Sequence, residues 1–334
     1  MGCKINLVNG NIITLDESCP SADTISLENG KIAGINAIDH NHKSIDLQGA
    51  TVIPGFTDSH FHLTNLGKQL DTLQLKDCRS SHEVAEKVLK KSAKMSHNDW
   101  IIGFGWDHNK WRDSHFPKAD ILNSLPISQP IMLNRIDGHS AWVNQKAMEL
   151  SGLDVAPNPP EGGDIINDCI LIDNAMNPVQ FVMPKPDEST VEKWINLALK
   201  IIIPRGITNI HDAWQDPVTV KVLQQMSANG KLPIRVYGML GSSYPKLLKQ
   251  FFKEGFFNSE NYTIRSVKAF IDGALGSRGA ALLEPYCDDL NNCGLILISD
   301  KDFIKLAQKC KDAGFQLCTH AIGDRGNRMV LDAY

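Results

Sequence analysis

The sequence predicts an α/β protein: a parallel sheet of the (β/α)8-barrel kind, preceded by a small antiparallel β module. Two observations carry this. From about residue 196, short apolar strands alternate with helical stretches at Gly206–Asp212, Ile234–Leu240, Ser266–Gly273 and Phe315–Ala321. That alternation is the mark of βα units. Most of these strands, and the earlier apolar run Thr51–Leu63, also end in or beside charged or histidine residues. In such barrels the carboxyl ends of the strands are where reactive groups collect.

Taken in order, residues 4–50 supply the β module. Ile5–Val8, Ile12–Leu15, Thr24–Leu27, Lys31–Ala33 and Ser44–Leu47 read as antiparallel strands, and Asn9-Gly10 and Asn29-Gly30 offer the positive φ that tight hairpins demand. So small a sheet needs a partner to pack against. Pro54-Gly55 then punctuates the entry to a short buried strand ending at His60-Phe-His62.

Residues 64–195 differ in character. Ser80-Ser-His-Glu83 resembles a capping box, followed by helical spacing through Val84, Val88 and Leu89. Trp100–Trp111 is dense in tryptophan and glycine. Packing explains that most simply, yet with Asp107 and His108 beside it the stretch also suits a pocket wall. Pro130–Asn144 runs a strand into a polar turn, and a helix follows that Gly152 stops. Arg135, Asp137, His139 and Asn144 read as substrate contacts or, for Arg135 with Asp137, as a structural ion pair. Pro157–Gly163 is a loop. A helix over about 216–229 separates the second and third strands of the regular region.

Bulk properties narrow the partners. The 334 residues are 42% hydrophobic and 22% charged, a globular composition, and the net charge of −4 gives no cause to expect nucleic acid or an anionic membrane. No apolar stretch approaches the roughly 20 residues of a spanning helix. The eight cysteines are scattered without a Cys-x-x-Cys pair. That favours reduced thiols and a cytoplasmic setting over a disulfide framework.

The chemistry-bearing residues lie at strand ends. Residues two apart on a strand share a face, so His60 and His62 can converge. Two neutral imidazoles at one point are half of a transition-metal site, whereas the same triplet in an ordinary loop carries no such meaning. With His60/His62 on strand one, the Gly206, Ile234, Val267 and Phe315 strands are two to five, placing Lys268 on strand four and His320 at the end of strand five. Lys268 sits between Val267 and Ala269. A buried lysine is costly unless paired, modified or functional; a lysine at the sheet's edge would reach water instead.

On these residues the chain resembles the amidohydrolase superfamily, and within it the branch of proteins similar to N-substituted formamide deformylases. The likeness runs through GFTDSHFHL (55–63), IIGFGWDHN (101–109), RIDGHSAWVN (135–144), GITNIHDA (206–213), VKAFIDGALGSRGAALLEPY (267–286) and HAIGDRGNRMVLDAY (320–334). It implies an incomplete TIM-type (β/α)8 barrel of about five strands. Residues 1–54 would be part of a composite β-sandwich, 55–63 barrel strand one, 64–195 an inserted lid, and 196–334 strands two to five. His60, His62, Lys268 and His320 would hold one or two divalent ions, zinc by type, with Lys268 carbamylated. Trp106, His139, Asp272 and Arg278 would contact a small-molecule substrate, and a homo-oligomer is compatible with this.

The implied reaction is hydrolysis of carbon–nitrogen bonds other than peptide bonds. Two departures from the family's pattern stand out. The hairpin within Gly162–Asn174 is short, and its turn between Asn167 and Ile170 lacks glycine. Asn327–Tyr334 reads as a helix without a stop signal, and the resemblance puts a strand-six histidine and the strand-eight aspartate, the general base, beyond Tyr334. A truncated form of a longer protein is therefore expected. The alternative to the hydrolase is a non-catalytic fragment or pseudoenzyme of the same lineage.

Overall fold

The structure, a computed structural model, describes residues 4–112, 114–155, 159–160, 163–275 and 278–334. Most of the predicted Pro157–Gly163 loop lies outside them. The chain divides into two compact units: Met1–Phe61 with Ile202–Gln215 and Met226–Tyr334, and His62–Ile201 with Asp216–Gln225.

The first unit begins with seven short strands: β1 (Lys4–Val8), β2 (Asn11–Ile13), β3 (Ser21–Ala22), β4 (Ile25–Glu28), β5 (Lys31–Ile35), β6 (Lys43–Asp46) and β7 (Thr51–Val52). They form two sheets, in the orders β5-β4-β1-β6 and β3-β2-β7. Asn29 (φ 53°) and Gly30 (φ 75°) make the tight β4–β5 turn as predicted. The wholly antiparallel expectation is corrected, because β1 pairs with β6, and β2 with β7, in parallel. Nor does Asn9-Gly10 form a hairpin; the chain leaves one sheet there for the other. A Cβ on Gly10 would lie 2.4 Å from Leu47 Cδ1. Turn residues set local φ, but the strand partner is chosen by burial, here of Ile12, Ala22 and Ile25 against Leu7, Leu27, Leu47 and Val52. β8 (Phe56–Phe61) follows.

The second unit opens with α1 (Leu63–Asp71), β9 (Leu73–Gln74) and α2 (Ser81–Ser92). Half of the capping box forms as expected: Ser80 Oγ accepts Glu83 N–H at 3.2 Å, whereas Glu83 Oε2 reaches one residue past the N-cap and accepts Arg79 N–H at 2.8 Å. β10 (Ile101–Trp106), α3 (Ala119–Asn123), β11 (Ile131–Arg135), β12 (Ser140–Val143), α4 (Gln145–Ser151), β13 (Gly163–Ile166) and β14 (Ile170–Asp173) come next, and then α5 (Asn177–Val182) and α6 (Glu188–Ile202). Six strands form one sheet in the order β13-β14-β12-β11-β10-β9, with β9, β10 and β11 parallel. The β13–β14 hairpin survives without glycine because Asn167 (φ 51°) and Asp168 (φ 56°) occupy the left-handed region themselves, which these two residue types tolerate best after glycine.

The rest of the first unit is the regular region: β15 (Ile207–Gln215), α7 (Pro217–Ala228, whose first residues fall in the second unit), β16 (Arg235–Gly241), α8 (Pro245–Glu254), β17 (Phe257–Asn258), β18 (Tyr262–Phe270), α9 (Asp300–Asp312), β19 (Gln316–His320) and α10 (Asp324–Ala333). β8, β15, β16, β18 and β19 pair in that order, each parallel to the next. This is the predicted sequence of five strands. β17 adds an antiparallel strip to the lower half of β18. Period-two alternation turns Ala269, Ile271 and Leu317 into a core with Phe303 and Leu306 of α9 and Met329 and Val330 of α10. Among the described residues, no helix is long and apolar enough to cross a membrane, and no cysteine is in a disulfide.

Candidate functional site

Lys268 lies in the interior of the sheet, with β16 on one side of its strand and β19 on the other. The edge-lysine alternative is thereby removed. Its register partners are Gly241 and Cys318, and those of Phe270 include His320. In-register residues of parallel strands share a face, so Lys268, Phe270, Cys318 and His320 stand opposite the helix-facing core. Lys268 is 5% exposed, its Nζ lies 5.3 Å from the Phe270 ring centroid, and no carboxylate pairs with it among the described residues. Loss of hydration pushes its pKa below the ordinary lysine value, with Cys318 opposing weakly.

His320 lies on the same face of the neighbouring strand, in register with Phe270. Its ring centroid is 5.1 Å from that of Phe270, and its Nε2 is 3.5 Å from Gly273 O and 3.8 Å from Asp272 Oδ1. Phe270 also packs on Trp214 at 5.2 Å, and Trp214 on Tyr244 at 6.0 Å.

His60 is the penultimate residue of β8 and is exposed; its N–H is taken by Asp58 Oδ1 at 3.1 Å. The β8–β15 register shifts between Asp58 and Phe61, so His60 lies in an irregular step. His62 is not on the strand but at the N-cap of α1 (φ −130°, ψ 85°), where strand alternation no longer fixes its direction. Among the described residues, no group of three or more His, Cys, Asp or Glu is arranged to hold an ion. Neutral imidazole is a donor type that suits zinc among other first-row metals.

Asp272 is 1% exposed and serves as a hub. Its Oδ2 accepts Ala281 N–H at 2.9 Å and Gly323 N–H at 2.8 Å, and its Oδ1 accepts Ile322 N–H at 3.0 Å. A Cβ on Gly326 would lie 2.8 Å from Oδ2, and one on Gly323 1.8 Å from Ala281 O. The two motifs DGALGSRGAALLEPY and HAIGDRG are thus knotted around one carboxylate, and three N–H groups already occupy most of its lone pairs. Arg278, also expected to meet substrate, forks onto Asp288 at 3.0 and 3.2 Å on the surface, which raises its pKa.

In the second unit, Trp106 is wholly buried among Trp111, Phe116 and Trp142, and its indole N–H donates to Leu133 O at 2.7 Å. It offers no surface to a ligand here and acts as core. Arg135 bridges Asp107 at 3.1 Å and also pairs with Asp137, so the ion-pair reading of those two holds. Asn144 caps α4 through Ala147 N–H at 3.1 Å and accepts Ile131 N–H at 2.9 Å. His139 is 72% exposed, with Nδ1 2.8 Å from Asp173 Oδ1, and that hydrogen bond raises its pKa.

Two residues near Lys268 escaped sequence reasoning. Trp214 has φ 135°, a conformation a bulky residue rarely adopts. A Cβ on Gly241 would fall 2.8 Å from its ring. Cys318 faces Lys268 only through the sheet register. The polar end of Gly206–Asp212 hinted at the first; nothing local marked the second.

The amidohydrolase family model matches residues 43–334. The chain is 29% identical over 356 residues to Protein LONG AFTER FAR-RED 3 of Arabidopsis thaliana, covering 98% of itself and 60% of that protein. To YtcJ of Bacillus subtilis (strain 168) it is 28% identical over 343 residues, covering 97% and 64%. It spans under two-thirds of the length of both. Among solved structures, an uncharacterized metal-dependent hydrolase from Pyrococcus furiosus superposes with a TM-score of 0.84 at 26% identity, covering 99% of this chain and 70% of that one.

Proposed function

Because the chain belongs to the amidohydrolase family, we propose that it serves a metal-dependent hydrolase of carbon–nitrogen bonds other than peptide bonds, with His60, His62, Lys268 and His320 as the metal-holding set. On this reading the five parallel strands are the first five of a (β/α)8 barrel. The β module is part of a composite sandwich, and residues 64–195 are the lid.

The observation that carries the proposal is Lys268: an amine on an interior strand, desolvated, without a carboxylate partner among the described residues, one strand from His320. A lysine left so is expensive unless it has a task. Its lowered pKa enlarges the neutral fraction, the form that attacks carbon dioxide. The new N–C bond forms with release of one proton and leaves a carbamate whose oxygens are hard donors. Phe270 packs against this amine, and Trp214 packs on Phe270. Asp272 and Gly273 O hold His320 from behind.

Zinc, one ion or two, fits this donor set and when bound supplies a Lewis acid that polarises a carbonyl and acidifies water. Overall, water adds to the acyl carbon, the C–N bond breaks, and an acid and an amine leave. The resemblance makes an N-substituted formamide the first substrate class to try.

Metal analysis of the purified chain after zinc loading and dialysis tests the ligand set. Wild type should retain zinc, while His60→Ala and Lys268→Ala should each lose most of it. Equal zinc in all three sinks the assignment. Calorimetric binding of an N-substituted formamide to the zinc-loaded chain, measured separately, tests the substrate class; absence of binding counts against it.

A further inference from the structure

The second unit contains a cavity of about 1080 Å³ that shares no residue with the proposed metal-holding set. Its floor is built by three parallel strands. Register aligns Ile102 with Met132, and Phe104 with Gln74 and Asn134. The floor therefore carries an apolar row and, beside it, a row of one aromatic ring between two side-chain amides. Alternation sends Ile101, Ile131 and Leu133 the other way, into the core around Trp106.

The rim is cationic. Lys68, Lys91, Lys94, Lys185 and Lys193 line the cavity against Asp71 and Asp99, five amines to two carboxylates, a local charge of +3. Asp71 is already engaged. It takes Lys193 at 2.7 Å, Lys91 at 3.7 Å and the Trp194 indole N–H at 3.1 Å. Burial pulls its pKa upward, but these partners outweigh burial and hold it below the ordinary value. Asp99 Oδ2 is occupied by Ser96 N–H at 3.0 Å. Lys94 and Lys185 have no carboxylate partner among the described residues. Lys68 Nζ lies only over the Trp194 ring, 6.0 Å from its centroid.

We propose that this cavity binds a small organic anion, with an apolar or aromatic body on the Ile102–Met132 and Phe104 floor and a carboxylate or phosphate taken by Lys68, Lys94 and Lys185. The volume lies just above the range that drug-sized ligands fill, roughly 300–1,000 Å³. Mostly apolar walls with a few convergent charges are the usual build of such sites. Amines that outnumber carboxylates select the sign of the ligand.

Isothermal titration of the full chain at low salt tests this with three probes: 2-naphthoate, the uncharged 2-naphthamide and inorganic phosphate. Naphthoate should bind on the order of tenfold or more tighter than naphthamide, as charge-assisted contacts would give, and tighter than phosphate. Lys94→Gln/Lys185→Gln should weaken naphthoate about tenfold while the melting temperature stays unchanged. Four results overturn the proposal: no naphthoate binding, equal affinity for acid and amide, phosphate binding as tight as naphthoate, or a double variant that binds like wild type. Any of these leaves the hydrolase proposal standing, since the zinc measurement on His60 and Lys268 reads different residues.

Discussion

Replacing Asp272 separates a structural carboxylate from a ligand contact. In Asp272→Asn the shape survives, but only one oxygen remains. The better amide orientation keeps that oxygen at the Oδ2 position, where Ala281 and Gly323 N–H groups converge, and turns the amide nitrogen toward Ile322 N–H. One donor then faces another, costing about 1–3 kcal/mol, and the two surviving bonds lose the charge that strengthens them by about 1 kcal/mol each. Relief of burying a carboxylate at 1% exposure offsets part of this. The net expectation is a loss of about 2–4 kcal/mol. Asp272→Ala, which removes both acceptor oxygens and so all three bonds, should lose at least as much. Urea unfolding followed by circular dichroism gives the global value. Amide hydrogen exchange at Ala281, Ile322 and Gly323 gives the local one, and these three should exchange faster in both variants. If both variants stay within about 0.5 kcal/mol of wild type, the range of ordinary surface changes, and the three amides exchange as before, the hub reasoning is wrong.

Two further outcomes follow from the second unit. Gly67→Ala in α1 would put a Cβ 1.9 Å from Trp194 O and 2.3 Å from its carbonyl carbon. These are backbone atoms that cannot rotate aside, so the helix-propensity gain of about 1 kcal/mol should be overwhelmed and the melting temperature should fall; an unchanged or raised value contradicts the close α1–α6 packing. His139, whose pKa the Asp173 hydrogen bond raises, should titrate by NMR above the ordinary histidine value and return toward it in Asp173→Asn. Because the folded pKa is the higher one, the pair stabilises fully below the unfolded value of about 6.5. That contribution fades as pH rises through the folded pKa. A stability gap between wild type and Asp173→Asn that widens with pH would refute this.

Much of the architecture was legible because its signals are local. Apolar runs alternating with helical stretches announced the parallel strands, and the order in which they occur is the order in which they pair. Ser80 and Glu83 announced a helix start, and Gly152 a helix end, through backbone geometry that a few neighbouring residues decide. Lys268 stood out for a similarly local reason, a charge amid apolar residues in a short strand.

What tertiary structure alone decided is which distant groups meet. Asn9-Gly10 carries a hairpin signature yet joins two sheets, since the burial of Ile12 and Leu47 outweighs a turn preference. The resemblance implied that Asp272 meets substrate, but its acceptors are filled by N–H groups 9, 50 and 51 residues away. Trp106 looked like a pocket wall and is core, since whether an aromatic ring lines a cavity or fills one depends on what the rest of the fold brings against it. Sequence fixes the period of a strand and the residue types along it; register, which sets Cys318 and His320 beside Lys268 and Phe270, arises only when separate strands bury a common face.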